Sequence, residues 1–248
     1  MKILVLSDIH GDIDNLNKLE NEFKTADLVL FGGDFARFNE LETGKPVLDA
    51  LVKKHTSIYA VLGNCDSPEF LEELEKEDIS VQGTLVSAHG LAIIGSGGAL
   101  KFTGTTPNER SEEELLSDLR YIAEASFYTD NEELNTEELT ESQETENASP
   151  VSWDNLIVIS HQPPADTKCD TITSGIHVGS KELRTFVETY KPLLLLCGHI
   201  HESAGIDTIG DSLIINPGSL AEGSYGLVEV QKQKGIWKVV NAKLMNLS

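Results

Sequence analysis

Five short apolar runs in this chain each end near a residue that can bind a metal ion. The first run, residues 3–6, is followed by Asp8, and the same order of apolar run and polar residue returns along the chain. Runs of this kind predict strands that are buried on both faces. In an open α/β sheet, ligands gather beyond the carboxyl ends of the strands. The pattern therefore predicts an α/β fold with one polar site at the strand ends.

The segments between these strands indicate how the strands are connected. Residues 13–23 and 46–55 have the apolar spacing of helices, with Asp12 as the N-cap of the first. Together with strands at 26–31 and 57–62, they give the strand and helix alternation of a parallel sheet. Later segments predict antiparallel hairpins, which turn at His89-Gly90, Gly210-Asp211 and Lys234-Gly235.

The length and the charge distribution bear on the domain organisation. We expect one domain over residues 1–248, because a chain of this length can bury its core as a single unit. Acidic residues are concentrated between Glu109 and Glu146, which predicts an acidic insertion at about 109–150 that opens with a capping box at Ser111. Residues 129–150 have few apolar side chains, so we expect a solvated segment there. A lid over the site is the alternative.

Composition limits the class of partner. The formal net charge of −22 disfavours a nucleic-acid backbone or an anionic membrane as partner, because both would be repelled. The three cysteines, at 65, 169 and 197, match no zinc or disulfide spacing, which suits a reducing cytosol. No apolar run has the length of a membrane span. We expect a cytoplasmic protein that acts on a small substrate, and a homo-oligomer is possible.

The polar residues at the strand ends form a mixed set of nitrogen and oxygen donors. They are Asp8, His10, Asp34, Asn64, His161, His199 and His201. Carboxylate, imidazole and amide groups suit transition metals better than they suit calcium. Seven donors are too many for one tetrahedral ion but suit two ions, roughly 3.5 to 4 Å apart, that share a carboxylate. We expect two divalent ions, with Mn or Fe first and Zn, Co or Ni as alternatives.

The order of these motifs resembles that of the calcineurin-like metallophosphoesterase superfamily. The matching motifs are Asp8-x-His10, Gly33-Asp34, Gly63-Asn64, His161 and Gly198-His199-x-His201. Three further stretches, at 63–66, 161–164 and 216–219, are similar to the small bacterial and archaeal phosphodiesterases of that superfamily. The resemblance implies a four-layer α/β/β/α sandwich, in which two mixed β-sheets are flanked by helices.

The resemblance also implies roles for the seven residues. One metal ion would be held by Asp8, His10 and His201, the other by Asn64, His161 and His199, with Asp34 bridging the two. The implied reaction is phosphoester hydrolysis, in which a metal-bridging hydroxide attacks phosphorus in line. Asp34, Asn64, His199 and His10 are then the expected catalytic residues. We expect a phosphodiester substrate; a phosphomonoesterase or nucleotidase and a non-catalytic metal-binding scaffold are the alternatives.

Asn64, Cys65 and His177 are the candidates for substrate contacts. Relatives with efficient alkyl-ester or protein substrates usually carry histidine directly after the Gly-Asn pair, whereas this chain has Cys65 there. A thiol with a pKa of about 8.5 is a poorer acid and carries no positive charge. We therefore expect a preference for esters with good leaving groups. His177 either lines the substrate cleft or is a loop residue that helps Ser180 to start the next helix.

Overall fold

The computed structural model describes residues 1–124 and 153–247, which form thirteen strands and six helices, together with a helical stretch at 120–124. The strands are β1 (Lys2–Leu6), β2 (Leu28–Phe31), β3 (Ile58–Ala60), β4 (Val86–Ala88), β5 (Leu91–Ser96), β6 (Ala99–Leu100), β7 (Glu109–Arg110), β8 (Leu156–Ser160), β9 (Leu194–Leu196), β10 (Gly205–Ile209), β11 (Ser212–Asn216), β12 (Ser224–Gln233) and β13 (Ile236–Asn246). The helices are α1 (Ile13–Lys18), α2 (Glu20–Thr25), α3 (Gly44–Leu51), α4 (Leu71–Lys76), α5 (Glu112–Ser117) and α6 (Lys181–Tyr190).

The strands form two large mixed sheets and one small one. The first large sheet has the order β13-β12-β1-β2-β3, and the second has the order β10-β11-β9-β8-β5-β4. Strands β1, β2 and β3 pair in parallel, as the alternation of strands and helices predicted. The three predicted hairpins are also confirmed, because β4 with β5, β10 with β11 and β12 with β13 pair antiparallel.

Alternate side chains of β1 enter two different cores, which explains why the strand is apolar throughout. Ile3 and Val5 pack between the two sheets, whereas Leu4 and Leu6 pack against the helices on the outer face of the first sheet. A third core joins the outer face of the second sheet to α6 and to Leu119. The resulting order of layers is helix, sheet, sheet, helix, so the expected four-layer fold is confirmed.

The helix predicted over residues 13–23 is interrupted. Leu19 leaves helical geometry at φ −88° and ψ 21°, and its N–H donates to the carbonyl of Leu16, which separates α1 from α2. The break keeps Leu16, Leu19 and Phe23 buried against the first sheet. The N-cap is as predicted, because the Asp12 carboxylate accepts from the N–H of Asn15.

The first part of the predicted acidic insertion belongs to the folded core. Arg110 lies in β7, the capping box of Ser111 and Glu114 opens α5, and Leu115, Leu119 and Ile122 are buried. The predicted solvated stretch at 129–150 lies outside the described residues. In the two described ranges, no helix is long and apolar enough to cross a membrane.

Candidate metal centre

All seven predicted ligands lie at one edge of the two sheets. In the first sheet, Asp8, Asp34 and Asn64 follow β1, β2 and β3. In the second sheet, His161 follows β8, and His199 and His201 follow β9. Strand ends of both sheets therefore meet above the core. Two ligands of one ion lie at most about 4.4 Å apart when each metal bond is about 2.0 to 2.2 Å.

One half of the site is formed by Asp8, His10 and His201. His201 Nε2 lies 3.2 Å from Asp8 Oδ1 and 3.3 Å from His10 Nε2. His10 Nε2 lies 3.9 Å from Asp8 Oδ1. These separations fit three donors around a single ion.

The other half of the predicted site is only partly assembled, with Asp34 between the two halves. Asn64 and His161 are in contact, whereas His199 belongs to none of the groups of donor atoms within 4.8 Å of one another found among the described residues. His161 Nε2 lies 2.8 Å from Asn64 Oδ1, and the rings of His161 and His199 have their centroids 5.3 Å apart. Asp34 Oδ2 lies 3.6 Å from His161 Nε2 and 3.7 Å from His10 Nε2. One carboxylate oxygen thus faces donors of both halves, as a bridging ligand does.

Backbone carbonyls fix the proton position on two of these imidazoles. The Nδ1–H of His161 donates to the carbonyl of Gly32 at 2.7 Å, and that of His10 donates to Ala36 at 3.1 Å. A carbonyl only accepts, so in the neutral imidazoles the Nε2 lone pairs face the site. The lone pair of His161 then points at Asn64 Oδ1, another acceptor. Either a metal ion between the two atoms or an Asn64 amide turned to present its NH₂ group satisfies this contact, and the mixed imidazole, carboxylate and amide donors fit a transition metal.

The backbone at the site is held in an uncommon conformation. Asp8, His10, Asp34 and His199 all have positive φ, between 45° and 67°. Residues other than glycine rarely adopt this left-handed region, and such strain concentrates at functional sites.

Glycines allow the ligand loops to pass close to one another. A Cβ at residue 63 would lie 1.9 Å from Asp34 Oδ1, and a Cβ at residue 198 would lie 2.5 Å from Asp8 Oδ2. Only glycine fits at either position. Gly63 and Gly198, which belong to the Gly63-Asn64 and Gly198-His199 motifs, are therefore required by the close packing of the site.

The charges of the site are coupled. Burial alone would raise the pKa of Asp8, but the hydrogen bond with His201 and the charges of the nearby imidazoles hold that pKa well below its usual value. Burial acts against the charged form of His201, yet Asp8 raises the pKa of His201 to about 9. Burial, followed by the charge of His161, lowers the pKa of His199 to about 4. At neutral pH without metal, His199 is neutral and His201 carries a proton.

Asp66 is a positioning residue that sequence reasoning missed. Its buried carboxylate accepts backbone N–H groups from Gly63, Asp34, Phe35 and Ala36 at 2.8 to 3.2 Å. It therefore ties the loop after β2 to the loop after β3. Burial and the nearby Asp34 raise its pKa to about 6. The available signal was its position, two residues after the Gly63-Asn64 pair.

The two other candidates for substrate contacts lie in different places. Cys65 is buried beside Asp34, whose Oδ1 accepts its N–H at 2.7 Å. Burial and the Asp34 charge raise the pKa of the Cys65 thiol well above its usual value, so it stays neutral. His177 is exposed, and its Nδ1 lies 2.7 Å from Oδ1 of the buried Asp170. Its ring therefore faces the Asp170 loop, and its substrate contact stays a prediction.

Comparison with known proteins agrees with this geometry. Residues 1–203 match the family model for the calcineurin-like phosphoesterases. An uncharacterized protein of Methanocaldococcus jannaschii is 30% identical over 224 residues, which are 88% of each chain.

Two solved structures share the fold. A protein of Thermus thermophilus has a TM-score of 0.67 at 18% identity and covers 99% of this chain and 98% of its own. A dimetal phosphatase from Danio rerio has a TM-score of 0.54 at 12% identity and covers 100% of this chain and 99% of its own. With the fold, the ordered motifs and the family model in agreement, the chain belongs to the calcineurin-like phosphoesterase family.

Proposed function

We propose that this protein is a dinuclear-metal-dependent phosphodiesterase. The observation that carries the proposal is the convergence of seven donors from two sheets, with Asp34 Oδ2 within 3.7 Å of an imidazole nitrogen in each half. The proposed ions are divalent transition metals, with Mn or Fe first and Zn, Co or Ni as alternatives, because the donor set mixes imidazole with carboxylate.

The proposed roles follow from the two halves. Asp8, His10 and His201 would hold one ion, Asn64, His161 and His199 would hold the other, and Asp34 would be shared between them. The ions, once bound, would make a water molecule nucleophilic near neutral pH and stabilise negative charge on the phosphoryl oxygens. The carbonyls of Gly32 and Ala36 keep His161 and His10 oriented toward the site. Asp66 keeps the Asp34 and Asn64 loops in register.

A neutral thiol at Cys65 offers no positive charge to a departing alkoxide, which favours good leaving groups in monoesters and diesters alike. One feature of the site supports a diester over a monoester. A cleft of about 460 Å³ reaches Asn64 and His199, and among the described residues that line it, Lys101 is the one cation. Lys101 is paired with Glu114 at 3.4 Å. The cleft thus suits the single charge of a diester better than the double charge of a monoester.

The proposed setting is the cytoplasm. Cys65, Cys169 and Cys197 are all buried and free, as in proteins of reducing compartments.

Metal analysis with a matched pair of variants tests the proposal. The purified protein is treated with a chelator, reloaded with Mn and assayed on an aryl phosphodiester and on the corresponding monoester. We expect two ions per chain, metal-dependent hydrolysis and a higher kcat/KM for the diester. Asp34→Asn keeps the shape of the bridging side chain but removes its charge, so we expect at least one ion fewer and a loss of kcat of about 100-fold or more. Asp14→Asn, in the exposed first turn of α1, is the control.

The alternatives give different results. Two bound ions without hydrolysis of any ester would indicate a non-catalytic scaffold. A higher kcat/KM for the monoester would indicate a phosphomonoesterase or nucleotidase. A folded protein that binds no transition metal after reloading would contradict the proposal as a whole.

A further inference from the structure

The cleft beside the proposed metal centre has an unusual rim. Phe102 lines this cleft, and its side chain is 92% exposed, more than that of any other large apolar residue in the described ranges. Exposure of a whole aromatic ring is unfavourable in water, at roughly 25 cal/mol per Å² of apolar surface. A ring placed at the mouth of a binding cleft can recover that free energy when a ligand covers it.

The loop that carries Phe102 is internally braced. The Glu109 carboxylate accepts N–H groups from Phe102 and Gly104 at 2.8 and 2.9 Å, and from Thr105 and Thr106 at 3.1 and 3.4 Å. These hydrogen bonds lower the pKa of Glu109 to about 2, so the carboxylate stays charged and keeps all of its donors. The exposed ring is therefore presented by a preorganised loop, which lowers the entropic cost of binding.

The remaining walls of the cleft are apolar or already satisfied. Leu100, Ile172, Val178 and Ile200 supply apolar surface. The Gln162 side chain accepts from the N–H of Leu100 and donates to the carbonyl of Val178, both at 3.0 Å. The threonine hydroxyls at the rim contact Glu109. Apart from the proposed ligands Asn64 and His199, the described lining thus has few free donors or acceptors that could form hydrogen bonds with a ligand.

We propose that the cleft holds a planar aromatic ester group of the substrate, stacked on Phe102 and recognised by shape. The inference rests on the proposed phosphodiesterase function and narrows its substrate class to diesters with one aromatic ester group. A nucleobase and a simple aryl group share this chemistry. Phe102 is then a specificity-determining residue, and Glu109 is a positioning residue that acts through the loop.

Binding of stable analogues to the manganese-loaded protein tests the inference. The probes are methyl hydrogen phosphonates that differ in the group on phosphorus: methyl, cyclohexylmethyl, 1-naphthylmethyl or 2-(thymin-1-yl)ethyl. Isothermal titration calorimetry gives each Kd without any need for turnover. We expect the naphthyl probe to bind about 10-fold tighter than the methyl probe, which corresponds to about 1.4 kcal/mol, because its ring stacks on an aromatic side chain. The relative affinities of the thymine and naphthyl probes then identify which aromatic source the cleft prefers.

Variants assign the effect to the ring. Phe102→Ala should remove most of the difference in Kd between the naphthyl and methyl probes, and Phe102→Tyr should preserve it. Glu109→Gln keeps one acceptor oxygen and should weaken naphthyl binding by about 3-fold without affecting the methyl probe. Ile236→Ala, at an exposed apolar residue of β13, is the control.

Two results would overturn the inference. One is a cyclohexyl probe that binds as tightly as the naphthyl probe, since a planar ring would then be unnecessary. The other is a Phe102→Ala variant with unchanged naphthyl affinity. Hydrolysis of an aryl phosphodiester by the same preparations distinguishes failure of this inference from failure of the proposed function. If hydrolysis is metal-dependent while Phe102 proves irrelevant, only the inference fails, whereas a protein without metal uptake or hydrolysis removes the proposed function itself.

Discussion

At the scale of single residues, we propose that position 65 determines which leaving groups the enzyme tolerates. Cys65 is buried beside Asp34, and its thiol is neutral because burial and the Asp34 charge raise its pKa. It therefore supplies neither positive charge nor an acid of suitable strength near pH 7. An imidazole at this position could do both, because its pKa lies near the working pH.

We therefore predict that Cys65→His raises the rate on a diester with a poor leaving group. An increase of about 10-fold or more in kcat is expected for an alkyl diester, since general acid catalysis contributes typically 100-fold or more. The rate on an aryl diester, which needs little protonation, should change far less. Metal content is measured in parallel. Equal changes on both esters, at unchanged metal content, would contradict this account.

The raised pKa of His201 predicts how the affinity for metal depends on pH. Its pKa of about 9 in the metal-free protein means that a bound proton must leave before Nε2 can bind a metal. The apparent metal affinity should therefore rise by up to about tenfold per pH unit between the usual histidine pKa of about 6.5 and pH 9. The free energy of unfolding of the metal-free protein should fall over the same pH range. A raised pKa stabilises the fold fully below about 6.5, and this contribution is lost as the pH rises through 9.

Calorimetry in two buffers of different ionisation enthalpy measures the proton release at pH 7.5. The wild type should release close to one proton from His201 on loading, and His201→Gln should release less. His89→Gln, at the exposed turn between β4 and β5, is the control. An affinity that is constant from pH 6.5 to 9 would refute the assignment.

At the scale of elements, the loops after β2 and β3 depend on one buried carboxylate. Asp66 accepts four backbone N–H groups, three of them from residues 34–36. An asparagine at this position keeps one acceptor oxygen and turns an NH₂ group toward the N–H donors. Each buried donor that loses its partner costs about 1 to 3 kcal/mol.

Asp66→Asn is accordingly predicted to lower the free energy of unfolding by about 2 kcal/mol or more and to reduce metal content. Urea unfolding of the metal-free protein gives the first quantity. Asp78→Asn serves as the matched control, because Asp78 is exposed and asparagine also tolerates its positive φ of 56°. A variant as stable as the control would show that the loops are held by other contacts.

Local patterns were sufficient to predict most elements and the position of the seven proposed ligands at one edge of the sheets. An apolar run followed by a polar residue is a short-range signal, and it was correct for the strands before Asp8, Asp34, Asn64, His161 and His199. The break at Leu19 was not predicted, because the same apolar spacing fits one long helix or two short ones. Asp66, Asp170 and Glu109 were missed for a different reason. Their partners are mainly backbone N–H groups, and an N–H gives no sequence signal.

At the scale of the whole molecule, the proposed ions would join the two sheets. Asp8, Asp34 and Asn64 belong to loops of the first sheet, and His161, His199 and His201 to loops of the second. The order of strands within each sheet could not be predicted from spacing alone, since β12 pairs with β1 across more than two hundred residues. The resemblance, rather than the local pattern, supplied that part of the expectation.

Metal removal should therefore destabilise the whole protein. Ligand binding to the folded state at 100 times Kd stabilises it by about 2.7 kcal/mol. We predict a higher midpoint of thermal unfolding with Mn than after chelation, in one cooperative transition. Asp34→Asn should show a smaller shift than the wild type, and Asp14→Asn should show the full shift. Identical shifts in wild type and Asp34→Asn would mean that manganese stabilises the fold from elsewhere.

Four of the seven proposed ligands have a backbone conformation that most side chains avoid. The fold therefore carries local strain at the proposed metal centre, and in the absence of bound ions no metal binding offsets that strain. A laboratory population selected only for survival of heat in the presence of a chelator, with no demand for activity, would be expected to replace them with glycine or asparagine. The positions that are substituted first in such a selection would then identify the residues of the site without any assay of its reaction.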